Sequence, residues 1–317
     1  MQFGLQENIS LPLIFIDGIT RCGKTGLCGI ISSLKNMEMI QFPDEIELII
    51  PGVSLGAISA DYAKAFLRIY FNQLSYNINL SRKVNFRPHD ISGVDNYSKP
   101  EIYYNRLGIG EGDEIVDKCV KKINSLPLLT HDLMVNLDCL NKMDLNYKML
   151  ELWRHPIDNI YSWWTRGWGE RFGSDPRQGT LLVSMNETLY PWYGVGYESE
   201  LSGYNAMEKC VKMATDLLDR ACHQYYESTQ KERIHILTFE DFCNDPDHEL
   251  KAICGFLNTE ITEYTPRYLK STRFPRQLDI AERNHKLDEF RNGISSCLYK
   301  LLLDYSESYE TDLYGIR

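Results

Sequence analysis

The sequence has no apolar run that approaches the ~20 residues needed for a membrane-spanning helix. Its first ten residues also lack the basic region and the long apolar core of a secretory signal. Both absences argue against a membrane span and an export signal. We therefore expect a soluble, cytoplasmic protein, with an oligomeric state that the sequence leaves open.

Basic residues are few, since 34 Lys and Arg stand against 44 Asp and Glu, for a formal net charge of −10. Nucleic acids and other polyanions favour surfaces that are rich in lysine and arginine. The acidic balance therefore argues against a nucleic-acid partner and against sequence-independent binding of polyanions. A local basic pocket inside an acidic surface is still compatible with these numbers.

Paired cysteines are also absent, because the nine cysteines are scattered, odd in number, and show neither a C-x-x-C pair nor a metal-ligand spacing. Most of them lie in apolar or helical contexts. We therefore predict buried, reduced thiols and no bound metal. Reduced thiols indicate a reducing compartment.

A phosphate-binding pattern is present near the N-terminus, in the stretch "LPLIFIDGITRCGKTG" at residues 11–26. Its apolar part predicts a short, buried parallel strand that ends at a glycine turn. The pattern that follows, from Gly18 to Gly23-Lys24-Thr25, is typical of loops that hold phosphate groups at the start of a helix. The pattern alone does not distinguish a nucleoside triphosphate from another phosphorylated donor.

Apolar segments and amphipathic segments alternate along the rest of the chain. This alternation predicts an α/β fold, with a mainly parallel sheet flanked by helices, similar to P-loop-containing nucleoside triphosphate hydrolases. We expect one domain over residues 1–317, with ligands at the carboxyl ends of the strands. The predicted strands cover 11–17, 126–132, 147–154 and 233–242, and the predicted helices cover 23–36, 59–78, 115–125, 156–168, 204–229, 244–258 and about 292–306.

Two long segments, residues 82–114 and 169–203, are polar, rich in aromatic residues and interrupted by glycine and proline. Long irregular segments in compact domains are often binding loops or lids. We expect these two segments to form the pocket for a second substrate. Trp168 and Trp192 flank the second segment and are candidates to line that pocket, whereas the other tryptophans are expected in the core.

A second phosphate site is predicted where the strand "YKMLELW" ends at Arg154. Pro156 suits the first turn of the helix that follows, and Ser162 lies about two turns into that helix. This geometry brings the Arg154 guanidinium and the Ser162 hydroxyl near each other. Such a pair can bind a phosphate that is separate from the one at the loop.

These motifs resemble those of the PAPS-dependent sulfotransferases. Arg154, Pro156 and Ser162 match the family's 3′-phosphate motif R-x-P-x-x-x-x-x-S, and the stretch "LTFEDFCNDPDHELKAICGFL" resembles a later part of the family. Residues 20–25 align with the family's 5′-phosphosulfate loop. The three matches run in the family's order and cover residues 11 to about 258.

The resemblance assigns roles to individual residues. It implies that Arg21, Cys22, Gly23, Lys24, Thr25, Gly26, Arg154 and Ser162 bind the donor, and that Arg21 and Lys24 stabilise the leaving phosphate. His131 follows a strand that ends in Thr-His, as the catalytic base does in the cytosolic branch of the family. His89 is a weaker candidate, as a contact to the acceptor.

This chain departs from the family at two loop positions. Lys24 stands where the family usually has threonine, and Gly26 stands where the cytosolic branch has an adenine-stacking tryptophan. The adenine must then be held by another residue. In the family a basic C-terminal segment reaches the 3′-phosphate, and the resemblance makes Arg273, Arg276 and Arg291 candidates for that contact. They lack the family's clean motif, so we expect them instead to form a solvated face.

The resemblance implies a sulfotransferase that moves a sulfuryl group from PAPS to a hydroxyl or amine acceptor, gives PAP, and needs no metal. The acceptor would be a small molecule, a glycan or a lipid. Two alternatives stay open at this point. One is a P-loop kinase or NTPase that uses ATP·Mg²⁺, with Asp132 as the magnesium ligand; the other is a nucleotide-binding scaffold without catalysis.

Overall fold

A computed structural model describes residues 3–5, 7, 10–90, 92–110, 112, 125–175, 179–185 and 187–316. The predicted helix at 115–125 lies outside the described residues, apart from its last position. None of the described helices is long and apolar enough to cross a lipid bilayer.

The centre of the fold is a four-stranded, fully parallel sheet. The first three strands along the chain are β1 (Leu13–Asp17), β2 (Leu126–Leu129) and β3 (Tyr147–Trp153). The fourth strand of the sheet, Ile234–Thr238, comes later in the chain. Across the sheet the order is β2, β1, β3 and Ile234–Thr238. All five residues of β1 are buried, because helices cover both faces of the sheet. The predicted α/β fold with a parallel sheet is confirmed.

Side chains of β1 alternate between two hydrophobic cores. Leu13 and Phe15 belong to the larger core, which packs against the long helices of the chain. Ile14 and Ile16 belong to the smaller core beneath the phosphate-binding loop. This alternation is the two-residue period of a strand, and it explains why the strand reads as a continuous apolar run.

The remaining elements surround this sheet. A separate antiparallel hairpin is formed by β4 (Leu182–Met185) and β5 (Thr188–Pro191), so that Ile234–Thr238 is β6. The described helices are α1 (Thr25–Ser32), α2 (Asp44–Ser54), α3 (Ala60–Asn79), α4 (Pro100–Arg106), α5 (Leu137–Lys142), α6 (Pro156–Trp164), α7 (Glu198–Gly203), α8 (Ala206–Glu227), α9 (Phe239–Asn244), α10 (Pro246–Leu257), α11 (Thr265–Ser271), α12 (Ile280–Gly293) and α13 (Ser296–Asp312).

The structure differs from the predicted elements in several places. The fourth predicted strand ends at Thr238, and residues 239–242 begin helix α9 instead. Helix α2 was not predicted, because Pro51 and Gly52 interrupt its pattern, yet the helix runs through both residues. The segments 82–114 and 169–203 contain regular structure, namely α4 in the first and the β4–β5 hairpin with α7 in the second. The C-terminal helix begins later than predicted and ends later, at Asp312, and α12 precedes it.

Candidate active site

The carboxyl ends of all four parallel strands lead into one cavity of about 720 Å³. The loop after β1 supplies its floor, His131 follows β2, Arg154 follows β3, and Phe239 follows β6. The sequence predicted this convergence for the first three strands. The cavity is lined by Thr20, Arg21, Gly23, Lys24, Thr25, Gly26, His131, Arg154, Arg166, Trp168, Arg171, Phe239, Thr272, Phe274 and Arg276.

The loop before α1 is held tightly against its neighbours. A Cβ atom on Gly23, which has a φ of +106°, would lie 2.6 Å from the ring of Phe239. In the described part of the chain, the backbone N–H groups of Gly23 and Thr25 have no hydrogen-bond acceptor. Two unpaired donors at the start of a helix suit an anion.

Two other N–H groups of this loop already donate to carbonyl oxygens within it. The N–H of Cys22 donates to Ile19 O at 3.1 Å, and the N–H of Gly26 donates to Gly23 O at 3.0 Å. The Cys22 side chain is buried in the smaller core, where burial raises the pKa of its thiol. Cys22 was predicted to contact the donor, but the structure gives it a packing role beneath the loop.

Lys24 also differs from its predicted orientation. Its side chain is buried, with a relative exposure of 2%, and Nζ donates to Gly18 O at 2.5 Å and to Ile19 O at 3.5 Å. The ammonium group therefore closes the loop from the inside. A direct contact of Lys24 with the leaving phosphate was predicted, and this conformation does not provide it.

Arg21, Ser162 and Arg154 form a connected group at the cavity. The Arg21 Nε donates to Ser162 Oγ at 3.1 Å, and an Arg154 Nη1 donates to the Arg21 carbonyl oxygen at 3.2 Å. Burial, followed by the charges of Arg166 and Arg154, lowers the pKa of Arg21. The structure thus brings together the two predicted phosphate sites, with Arg21 between them.

The cavity is strongly positive. Five arginines line it, and no carboxylate is among its described lining residues. The Nε atoms of Arg154 and Arg171 are buried and have no hydrogen-bond partner in the residues that the structure describes. Buried donors without partners carry a free-energy cost that an anionic ligand can offset.

Aromatic rings form one wall of the cavity. Phe239 and Phe274 meet edge to face, with ring centroids 6.3 Å apart, and the Arg276 guanidinium lies 4.5 Å from the first ring and 5.1 Å from the second. The ring of Phe274 also lies 3.6 Å from where a Cβ of Gly26 would be. Phe274 therefore occupies the neighbourhood of the loop position where the sequence lacked a stacking residue.

The three C-terminal arginines have different environments. Arg276 is exposed, as predicted for a solvated residue, and it also lines the cavity. Arg291 is exposed and pairs with Asp288 at 3.3 Å on its own helix, as a solvated residue does. Arg273 is exposed as well.

His131 is fixed at the edge of the cavity by a buried carboxylate. Asp17, at the end of β1, accepts from the Thr130 hydroxyl at 2.9 Å and from the backbone N–H groups of Leu133 and Met134 at 2.9 and 3.1 Å. These three bonds hold the turn that carries His131. Asp17 therefore positions the histidine through the Thr130 side chain before it and the backbone N–H groups after it.

The His131 side chain pairs with a residue that sequence reasoning missed. Its Nδ1 lies 2.9 Å from Oε1 of Glu47 in α2. Burial raises the pKa of Glu47 to about 8, and burial together with the Lys24 charge lowers the pKa of His131 to about 4. Both shifts disfavour the charged forms, hence at neutral pH the contact is a neutral hydrogen bond rather than an ion pair.

Sequence reasoning also missed Arg166 and Arg171, which line the cavity from the turn after α6. The sequence contains no specific signal for these arginines or for Glu47. An arginine in a turn and an acidic residue next to apolar residues are both common patterns. His89 was a predicted acceptor contact, but it is exposed and is not among the residues that line this cavity or its neighbour.

A second cavity of about 260 Å³ adjoins the first, and the two share Thr20, His131 and Trp168. The predicted segment 169–203 contributes to it, as do both tryptophans that were candidates for this role. Its other lining residues are Asp44, Glu47, Asp132, Gly179, Thr180, Leu181, Trp192 and Tyr193.

The other predicted segment does not line either cavity in its described part. Arg106 of α4 forms a buried ion pair with Glu38 at 2.8 Å, and the Tyr103 hydroxyl also bonds to Glu38. These contacts anchor the 82–114 segment to the core. Helix α2 takes the predicted place beside the cavity, because Asp44 and Glu47 project from its first turns.

The sequence matches the family model described as "Sulfotransferase domain" over residues 14–295. A search of curated protein sequences found no significant match.

Three solved structures resemble the chain. They are the sulfotransferase domain from the Synechococcus PCC 7002 olefin synthase (12% identity, 99% of this chain and 99% of that chain covered, TM-score 0.46), the sulfotransferase domain from the curacin biosynthetic pathway (13%, 90% and 99%, 0.40) and a sulfotransferase from Alicyclobacillus acidocaldarius (13%, 93% and 97%, 0.37). The family match itself extends from β1 to the residue before α13. Because it spans most of the sequence, the chain belongs to the sulfotransferase family.

Proposed function

We propose that this protein transfers a sulfuryl group from PAPS to the hydroxyl group of an acceptor and releases PAP. The observation that carries the proposal is the five-arginine cavity at the carboxyl ends of the strands. Its volume of about 720 Å³ lies within the ~300–1,000 Å³ of typical small-molecule sites. Its lining joins cationic side chains, a helix N-terminus and an aromatic wall.

The residues fit a donor with two separate phosphate groups and a purine. In this proposal Gly23, Thr25 and Arg21 hold the 5′-phosphosulfate, because these residues line one cavity and supply two unpaired N–H groups and a guanidinium. Arg154 and Ser162 are placed to hold the 3′-phosphate. Phe274 is our candidate for the contact with adenine.

His131 is our candidate for the general base. It lies at the boundary between the two cavities, where an acceptor hydroxyl would approach the donor. Sulfuryl transfer places negative charge on the leaving phosphate, and Arg21 is the cation that faces it. In this proposal His131 removes the proton of the hydroxyl, and the surrounding residues supply orientation and charge stabilisation. A cytoplasmic location stays a prediction.

The first test compares thermal stability with PAP and with ATP·Mg²⁺. A ligand at 100 times its Kd stabilises the folded state by about 2.7 kcal/mol, so specific PAP binding gives a clear shift. Arg154→Ala should weaken PAP binding by about 1.5–3 kcal/mol, the usual range for hydrogen bonds to charged groups. Arg291→Ala, which removes an exposed arginine far from the loop in sequence, is the matched control and should bind PAP normally.

The second test follows radiolabelled sulfate from PAPS to acceptors. We expect His131→Ala to abolish transfer and to keep PAP binding. Stabilisation by ATP·Mg²⁺ without stabilisation by PAP would overturn the proposal. PAP binding with no transfer to any acceptor in a broad screen would instead indicate a binding scaffold.

A further inference from the structure

The 260 Å³ cavity beside His131 has a chemical character of its own, and the inference drawn from it rests on the proposed function. It meets the donor cavity at Thr20, His131 and Trp168. A molecule in the smaller cavity would therefore face the transferred group at the histidine. This position is the one that an acceptor must take, and its lining determines which acceptor binds.

The two cavities have opposite charge. Asp44, Glu47 and Asp132 line the smaller cavity, and no lysine or arginine is among its described lining residues. The donor cavity shows the reverse, with five arginines and no carboxylate. The sign of the charge thus changes at His131. An acceptor that is itself anionic would meet repulsion from the Asp44 and Asp132 carboxylates, whereas Glu47 is neutral at pH 7.

Two of the carboxylates retain capacity for a ligand. Asp44 is exposed at the start of α2 and forms no ion pair with any residue that the structure describes. Asp132 accepts from the Thr20 N–H through Oδ1 at 3.3 Å, and no donor to its Oδ2 is found among the described residues. Glu47 differs, because its Oε1 already bonds to His131. The free acceptors therefore come from Asp44 and Asp132.

Positive charges near the smaller cavity do not fully neutralise Asp44 and Asp132. The Lys24 ammonium is buried and its charge acts on Asp132 and Glu47, but it donates to carbonyl oxygens of its own loop. Arg171 lies over the Trp168 ring at 5.2 Å and lines the donor cavity, not this one. His131 is neutral at physiological pH, because burial holds its pKa at about 4.

Another part of the smaller cavity's wall is aromatic and contains a hydroxyl group that has no hydrogen-bond partner among the described residues. Tyr193 has a relative exposure of 2%, and its hydroxyl has no hydrogen-bond partner within the described structure. Trp192 meets Tyr193 edge to face, with ring centroids 5.5 Å apart, and both residues line the cavity. Aromatic walls with one buried polar group suit a small organic molecule, and they also favour cations over anions.

Size limits the candidates further. A volume of about 260 Å³ is below the ~300–1,000 Å³ of pockets that enclose drug-sized ligands. It is too small to enclose a long lipid chain. A compact molecule with one cationic group satisfies the carboxylates, the aromatic wall and the volume together.

We propose that the acceptor is a small hydroxylated amine, whose ammonium group binds Asp44 and Asp132 and whose hydroxyl group faces His131. The ammonium nitrogen has no lone pair, so the hydroxyl oxygen is the nucleophile. Its oxygen forms the new bond to sulfur, and the bond between sulfur and the bridging phosphate oxygen breaks. The bonding electrons leave with PAP, the hydroxyl proton passes to His131, and the product is a sulfate ester.

The test uses matched acceptors of different charge. The first set shares a phenol and consists of tyramine, which is a cation, 4-ethylphenol, which is neutral, and 3-(4-hydroxyphenyl)propionate, which is an anion. The second set shares a sugar ring and consists of glucosamine, glucose and glucuronate, with the same three charges. Binding to the PAP-saturated protein is measured by calorimetry, and transfer from PAPS gives kcat/KM. We expect the cationic member of at least one set to exceed its neutral partner by about tenfold, with the anionic member weakest.

Variants then locate the recognition. Asp44→Asn should lower the ratio of kcat/KM for the cation over the neutral acceptor by about fivefold or more. Asp61→Asn is the matched control, since Asp61 is also an exposed aspartate in the first turn of a helix and lies outside both cavities. This control should leave the ratio unchanged.

The outcomes separate this inference from the proposed function. Equal or reversed preference in both sets, or no binding of either amine to the PAP-saturated protein, would overturn the inference while PAP binding still supports the proposed function. Preferential amine binding by a protein that does not bind PAP would support the cation site and overturn the proposed function. An unchanged ratio in Asp44→Asn would also overturn the assignment of the ammonium site.

Discussion

At the scale of single residues, the pair formed by Glu47 and His131 decides when a base is available. In the neutral pair at pH 7, the protonated Glu47 carboxyl donates to Nδ1, and the imidazole proton is then on Nε2. Loss of the Glu47 proton reverses this bond. Nδ1–H then donates to the carboxylate, and Nε2 presents a lone pair to the acceptor.

This reversal of the hydrogen bond between Glu47 and His131 predicts that the rate of sulfuryl transfer rises with pH. Burial, together with the charges of Asp17 and Asp44, raises the pKa of Glu47 to about 8, although Lys24 acts in the opposite direction. The active form is the deprotonated one, so kcat should increase as the pH passes through about 8. In Glu47→Gln no group titrates at this position, and the step near pH 8 should disappear.

The measurement is a profile of kcat from about pH 6 to 9, a range that brackets this pKa. Glu307→Gln is the control, because Glu307 is exposed on α13 and should keep the wild-type profile. A flat wild-type profile, or a step that persists in Glu47→Gln, would contradict the assignment.

Residues of the site differed in how far the sequence predicted them. Arg21, Arg154 and Ser162 belong to ordered motifs, and the structure brings them into contact. Glu47 could not be found in this way, because its partner is 84 positions away in the sequence. Lys24 matched its motif, yet its ammonium group closes the loop by donating to carbonyl oxygens of the loop itself.

At the scale of elements, the phosphate-binding loop depends on close packing against β6 and α9. Gly23 adopts a φ of +106°, and a Cβ there would lie 2.6 Å from the ring of Phe239, the first residue of α9. The same ring contacts the guanidinium groups of Arg154 and Arg276. A shift of this ring would therefore disturb the loop and two of the cationic residues together.

Gly23→Ala should lower both stability and PAP affinity. A positive φ alone costs an alanine about 1–2 kcal/mol, and a clash in a tightly packed site adds about 1–3 kcal/mol. Gly56→Ala isolates the first of these costs, because Gly56 has a φ of +72° and open space around its Cα. Urea unfolding measures the free-energy difference between the two variants. Equal destabilisation, with PAP affinity retained in Gly23→Ala, would show that the ring moves aside freely.

Some elements were predictable and others were not, for a physical reason. Strand β1 and helix α6 carry strong local patterns, namely a buried apolar run and a proline at the first helical position. Helix α2 contains Pro51 and Gly52, and it exists because tertiary packing buries Ile46 and Ile50. Local propensity therefore gave the wrong result for the element that supplies Glu47.

At the scale of the whole molecule, charge is strongly segregated. The chain has a net charge of −10, yet the cavity of about 720 Å³ at its strand ends is lined by five arginines. A positive cleft in a negative protein attracts a compact anion without favouring long polyanions on its surface. The partial exposure of Arg21, Arg166 and Arg276 leaves part of this attraction open to screening by salt.

The affinity for PAP should therefore fall with ionic strength. The Debye length is ~10 Å at 0.1 M and ~3 Å at 1 M, so raising salt from about 0.05 M to about 0.5 M should weaken PAP binding by about tenfold. Adenosine, which lacks the phosphates, is the control and should bind with nearly the same affinity at both salt concentrations. A Kd for PAP that does not respond to salt would contradict a mainly electrostatic cavity.

The sequence by itself determined the parallel α/β architecture, the phosphate loop and the Arg154…Ser162 motif. These features are local, because strand period, glycine spacing and helix geometry act over a few residues. Only the tertiary structure decided which side chains surround the two cavities. Arg166, Arg171 and Arg276 join the donor cavity, and Asp44 and Glu47 form the acidic one, because helices and turns distant in sequence meet at the same edge of the sheet.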